Sequence, residues 1–163
     1  MKFLLAQINP VVGDLEGNAK KILYTARKAN AISADFVLTP ELSLWGYPAN
    51  DLLLKKNLIK NQYQILDQLA LDIKKKYGSL SITVGIAEII NDSFFPNLYN
   101  SIALLEHGEW KIIARKIILP TYEVFDEKRY FRSEEKVSVL TKEINNKTWR
   151  LGFTICELSL IHI

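Results

Sequence analysis

Residues 98–116 read LYNSIALLEHGEWKIIARK, and this stretch decides the fold class. Residues 98–105 and 110–116 are rich in apolar and β-branched side chains. They flank Glu106-His107-Gly108-Glu109, a short Gly-containing link of the kind that closes a β-hairpin. Upstream, residues 81–86 (SITVGI) form another buried-strand candidate. Before them Ile59, Tyr63, Leu66, Ala70, Ile73 and Tyr77 alternate steps of four and three, a helical spacing that ends at Gly78. Asn50 or Asp51 is placed to cap a short turn over residues 52–54, and residues 41–50 (ELSLWGYPAN) read as a loop. Residues 35–39 (DFVLT) are a short strand stopped by Pro40. Asn18 is expected to cap a helix carrying Ala19, Ile22, Leu23, Ala26 and Ala29, and residues 3–8 are a buried strand ending at Asn9-Pro10. Downstream, residues 119–132 (LPTYEVFDEKRYFR) form a loop with at most one helical turn. Asn145-Asn146 punctuates a last hairpin between residues 136–144 and 148–155. Helices in the first half and hairpins in the second predict an α/β layered domain with a mixed sheet.

Composition narrows the function classes. The chain has 163 residues, 48% hydrophobic and 24% charged, an ordinary globular balance in a length suited to one domain. A single cysteine excludes an internal disulfide and any multi-cysteine zinc or iron–sulfur site, and no metal site is expected. Two histidines, His107 and His162, leave little room for imidazole chemistry. A net charge of +3 does not argue for nucleic acid or an anionic membrane. No apolar run approaches the roughly 20 residues of a membrane span. The start, MKFLLAQINP, is a poor signal peptide, so a cytoplasmic protein is the expectation.

Glu41, Lys116 and Cys156 share a setting: each lies at, or within two residues of, the end of an expected strand. Strand ends are where such folds place reactive groups, because the strand fixes the backbone while the loop opens the site. If their three strands run parallel in one sheet, the side chains meet at one edge. Each residue also has an ordinary reading: Glu41 as a solvated loop carboxylate, Lys116 as a surface charge beside Arg115, Cys156 as an inert buried thiol.

The surrounding runs add to this. AQINPVVGDLEGN (6–18), PELSLWGYPANDLLL (40–54), RKIILPTYEVFDEKRYF (115–131) and GFTICE (152–157) together resemble the carbon–nitrogen hydrolase (nitrilase) superfamily. More narrowly, NPxxGDxxGN at 9–18, GYPxxDLLL at 46–54 and VFDEKRYF at 124–131 resemble the glutaminase domain of glutamine-dependent NAD+ synthetases. The resemblance spans residues 1–157. It implies a four-layer α-β-β-α sandwich, incomplete at the C-terminus, with Cys156 as nucleophile, Glu41 as general base and Lys116 as third catalytic residue. A thiol with a pKa of about 8.5 is little ionised at neutral pH, so a carboxylate must take its proton. Lys116 and the backbone N–H of Glu157 would stabilise the oxyanion. Tyr47, Tyr122 and Phe125 would wall the pocket, Glu127 would hold the lysine, and Glu157 would face the substrate's α-amino group. The implied substrate is L-glutamine, hydrolysed through a thioester. No cofactor is implied in this domain; ATP and Mg2+ belong to a synthetase domain of the same chain, along with homo-oligomers and no contact with nucleic acid or membrane. A stand-alone amidase on another small amide and a non-catalytic scaffold of the same fold are the alternatives.

The resemblance breaks after Glu157. The family's acidic Cys-Glu-Asp is here Cys156-Glu157-Leu158, and no SGGxDS phosphate loop occurs in the sequence. The last residues, LSLIHI (158–163), are what CTGTCTCTTATACACATC encodes, a transposon-end adapter used in sequencing libraries. Residues 158–163 are therefore expected to be a non-native tail on a truncated reading frame, with a native apolar strand end as the alternative, and turnover by this polypeptide alone is expected to be absent.

Overall fold

The computed structural model describes residues 1–91, 94–122 and 125–156. Its first helix, α1 (Leu15–Ala31), begins one turn earlier than expected. Asp14, not Asn18, is the cap, its carboxylate accepting from the Gly17 N–H at 2.9 Å. Asn18 lies inside the first turn and is fully buried. Its amide accepts from the Val11 N–H and donates to the carbonyls of Val11 and Leu44, pinning the preceding loop to the loop that carries Leu44. The second helix, α2 (Lys56–Tyr77), follows a 3-10 turn at Asn50–Leu54 and ends at Gly78. There φ is +62°, a conformation that favours glycine.

Strands β1 (Phe3–Leu5), β2 (Phe36–Leu38), β3 (Ser81–Ile89), β4 (Leu98–Glu106) and β5 (Glu109–Arg115) form one sheet in that order. The first three run parallel; β3–β4 and β4–β5 are antiparallel, so the sheet is mixed as expected. Strands β6 (Ser138–Ile144) and β7 (Lys147–Phe153) form a separate hairpin. Both hairpins turn on successive positive φ angles, at His107-Gly108 and Asn145-Asn146, the twist that tight two-residue turns require. β1 is shorter than the expected 3–8 and is not buried throughout. Its Phe3 and Leu5 are exposed, and the chain leaves the sheet after the Ala6 N–H donates to the Leu38 carbonyl.

Period-two alternation sorts the sheet into two faces. Leu4, Val37, Ile82, Val84, Ile86, Ala103 and Leu105 pack with Ile22, Ala26, Ile59, Leu66 and Ile73 of the helices. Each valine, leucine or isoleucine among them, taken fully from water, contributes about 1.5–3 kcal/mol. On the other face the Phe153 ring of β7 sits 6.3 Å from that of Phe36. Lys142 of β6 there donates to Ser81 Oγ at 2.7 Å and pairs with Glu106. The described residues thus supply helix, sheet and hairpin layers, the first three of the α-β-β-α sandwich. None of their helices is long and apolar enough to cross a membrane.

Candidate active site

Glu41 lies three residues beyond β2, in a turn that β3 holds from beneath. Gly85 makes the close approach possible: a Cβ there would sit 2.3 Å from the Leu42 nitrogen. Its N–H donates to Ser43 Oγ at 2.9 Å and its carbonyl accepts from the Leu44 N–H at 3.1 Å. Thr39 adds a hydroxyl contact to Ser43 (2.7 Å) and donates to the Thr83 carbonyl (2.8 Å). Lys116 follows β5 directly; its N–H donates to the Asn100 carbonyl and its own carbonyl accepts from Glu134.

These supports bring a lysine between two carboxylates. Lys116 is fully buried, with Nζ 2.8 Å from Glu41 Oε1 and 2.8 Å from Glu127 Oε1. Burial works against its charge, but Glu41 and Glu127 outweigh that, and the ammonium is held above its ordinary range. Burial pushes the Glu127 carboxyl up, against the opposing pull of Lys116 and of the Tyr47 hydroxyl, which donates to it at 2.7 Å. Tyr47 in turn lies well above the usual phenol range, through burial first and then the negative groups Glu127, Glu41 and Cys156.

Cys156 lies three residues beyond β7. With Glu41 it lines a cleft of about 90 Å³, together with Thr39, Thr83, Gly85 and Asn100. That volume is well above the roughly 10–15 Å³ a single water needs. The thiol residue is exposed, not the inert buried group of the ordinary reading. Its φ is +47°, a left-handed conformation that costs a side-chain-bearing residue about 1–2 kcal/mol and recurs at functional sites. The three strands do not meet at the edge of one sheet, however. β2 and β5 belong to the large sheet and β7 to the hairpin, so the convergence is between sheets. The sheet-to-sheet contact of Phe36 with Phe153, not strand order, carries the thiol there.

Of the other expected pocket residues, Tyr47, Tyr122 and Phe125 form one aromatic group. Phe125 lies 6.1 Å from Tyr47 and 5.5 Å from Tyr122, ring centre to ring centre. Tyr122 is half exposed and Glu127 is buried. Glu157 lies outside the described residues, as does the tail 158–163. Sequence reasoning missed Asn100, whose Nδ2 donates to Glu41 Oε1 at 2.6 Å. Its one signal was a carboxamide beside a serine at the start of a strand that is apolar from residue 102 to 105. Among the described residues, no three His, Cys, Asp or Glu side chains are grouped to hold a metal ion.

The carbon–nitrogen hydrolase family profile matches residues 5–159. The glutamine-dependent NAD(+) synthetase of Synechocystis sp. is 40% identical over 156 residues, covering 94% of this chain and 27% of the relative. The same-named protein of Thermotoga maritima is 38% identical over 157 residues, covering 96% and 25%. The structure of glutamine-dependent NAD+ synthetase from Acinetobacter baumannii with ADP matches at TM-score 0.78 and 34% identity, covering 95% of this chain and 27% of that one. An amidase from Nesterenkonia sp. matches at TM-score 0.68 and 21% identity, covering 91% and 53%, and speaks for the fold alone. The chain spans about a quarter of the length of the synthetases it matches.

Proposed function

The chain belongs to the carbon–nitrogen hydrolase family, and from that footing we propose that its cleft holds the groups that hydrolyse the side-chain carboxamide of L-glutamine, a turnover completed in a longer protein of its relatives' kind. Cys156 sulfur attacks the carboxamide carbon while Glu41 takes the thiol proton. Lys116 donates to the oxygen that becomes negative; losing one such donor typically costs about 2.7–4 kcal/mol of transition-state stabilisation. Glu41 returns the proton to the leaving nitrogen, ammonia departs and a γ-glutamyl thioester remains. Glu41 then takes a proton from water, the hydroxyl oxygen bonds to the thioester carbon, and glutamate leaves as the thiol is restored. Glu127 holds the lysine. Tyr47, Tyr122 and Phe125 wall the glutamine side chain, while the part that the resemblance gives Glu157 falls outside the described residues.

One observation carries this reading: a buried lysine bridging two carboxylates, one of which shares a cleft with the exposed sole cysteine. The names of the relatives support glutamine as the amide. In a longer protein of their kind, the released ammonia would go to ATP- and Mg2+-dependent conversion of deamido-NAD+ to NAD+. No step of that conversion falls to the residues present, which include no SGGxDS run. The test is mass spectrometry after exposure to the glutamine-like diazoketone 6-diazo-5-oxo-L-norleucine. We expect a single addition at Cys156, protected by L-glutamine, absent in Cys156→Ala and strongly slowed in Glu41→Gln. Equal labelling with and without excess glutamine contradicts the assignment.

A further inference from the structure

Asn100 has no part in the reaction as derived, yet it touches both of the groups that Cys156 needs. It sits in β4, 1% exposed, and lines the cleft with Glu41 and Cys156. Its carbonyl accepts from the Lys116 N–H at 2.8 Å, and its side-chain nitrogen donates to Glu41 Oε1 at 2.6 Å. A carboxylate oxygen only accepts, so the amide must present NH2 to Glu41, and its oxygen faces away. That oxygen, Oδ1, is buried and has no hydrogen-bond partner. An acceptor kept from water without a donor is costly unless a ligand supplies one. The bonds from Lys116 and Asn100 both fall on Oε1 of Glu41, which leaves Oε2 to exchange protons with a reacting group. The two heteroatoms of a carboxamide are only about 2.2 Å apart. Oδ1 therefore lies within about 5 Å of Glu41 Oε1.

We propose that Asn100 is a substrate-contacting residue that reads the amide: Oδ1 accepts an N–H of a primary carboxamide, and then of the departing ammonia, while Nδ2 fixes Glu41. This rests on the Cys156–Glu41 reading above and adds a specificity to it. Groups that carry an N–H at the leaving position are favoured over nitriles and esters, which have none.

The chain has one cysteine, so alkylation reports on Cys156 alone. Rates with iodoacetamide and with N,N-dimethyl iodoacetamide, which lacks the N–H, are each normalised to those of a free thiol. We expect the native chain to favour the primary amide about tenfold, the scale of one buried hydrogen bond. Asn100→Leu is expected to lose that preference. Asn100→Asp keeps an acceptor and is expected to retain it, with the pH profile shifted upward by a second carboxyl beside Glu41. A native chain without the preference overturns the proposal, and so does a folded Asn100→Leu that keeps it. Asn100→Ala serves the same purpose should the leucine variant fail to fold. If Glu41→Gln leaves both rates untouched, the Cys156–Glu41 reading falls and takes this one with it. If Glu41→Gln slows alkylation while Asn100→Leu keeps the preference, only the role of Asn100 falls.

Discussion

Lys116 is the side chain on which the site's electrostatics turn. It is fully buried, yet its charge is favoured, because it donates hydrogen bonds to two carboxylates at 2.8 Å each. Truncation to methionine leaves Glu41 and Glu127 facing each other without a cation. Breaking such a buried arrangement from one side typically costs about 3–5 kcal/mol. We expect Lys116→Met to lower the urea midpoint accordingly, and Glu127→Gln added to it to restore part of the loss. A lysine variant as stable as the parent would show that the pair is not compensating buried charge. The strand-end positions of Glu41, Lys116 and Cys156 were legible in the sequence, because a polar side chain closing an apolar run stands out, whereas their part in a reaction came only from the resemblance. Asn100 was not legible. Within LYNSIALL nothing local says which side chains face a cleft, and an amide beside Ser101 reads as ordinary polarity at a strand's start. The helix cap failed for a similar reason. Asp14 and Asn18 are both good caps in isolation, and only the tertiary contacts of Asn18 with Val11 and Leu44 separate their roles.

At the scale of elements, the β6–β7 hairpin is held to the large sheet by an ion pair that titrates. Burial pushes the Glu106 carboxyl up, but hydrogen bonds from Lys142 and Lys111 outweigh it and hold it below its ordinary value. A carboxyl depressed in the folded state stabilises it above the unfolded value near 4.5, and that contribution is lost as pH falls through the lower folded value. Acidification through this window is expected to speed amide exchange in β6 and β7 before the β3–β4 core opens. In Lys142→Met the hairpin is expected to exchange faster at neutral pH and to respond less to acid. Uniform exchange across both sheets at every pH would show that Glu106 and Lys142 do not hold this element. Both hairpins were readable, since His107-Gly108 and Asn145-Asn146 supply the positive φ angles their turns require. Their lengths shifted by a residue or two, as element ends generally do.

For the whole molecule, the sequence carried the class of fold but not the way its layers meet. Hydrophobic spacing identifies helices and strands one at a time. Which strand pairs with which, and on which face a hairpin settles, depends on contacts between distant residues. Here the decisive ones are Phe36 with Phe153 and Lys142 with Glu106, which join segments more than thirty residues apart. They place the turn after β7 over the end of β2, so that Cys156 from one sheet lines a cleft with Glu41 from the other, and Glu41 in turn pairs with Lys116. The most direct test of that convergence is a nitroxide attached to Cys156, the only cysteine, read by paramagnetic broadening of the NMR spectrum. Strong broadening of the Asn100 side-chain amide and the Gly85 amide, with the His107 and Asn145 turns unaffected, is the predicted result. Broadening centred on those two turns, with Asn100 and Gly85 sharp, would put the thiol at the wrong end of the molecule and contradict the account.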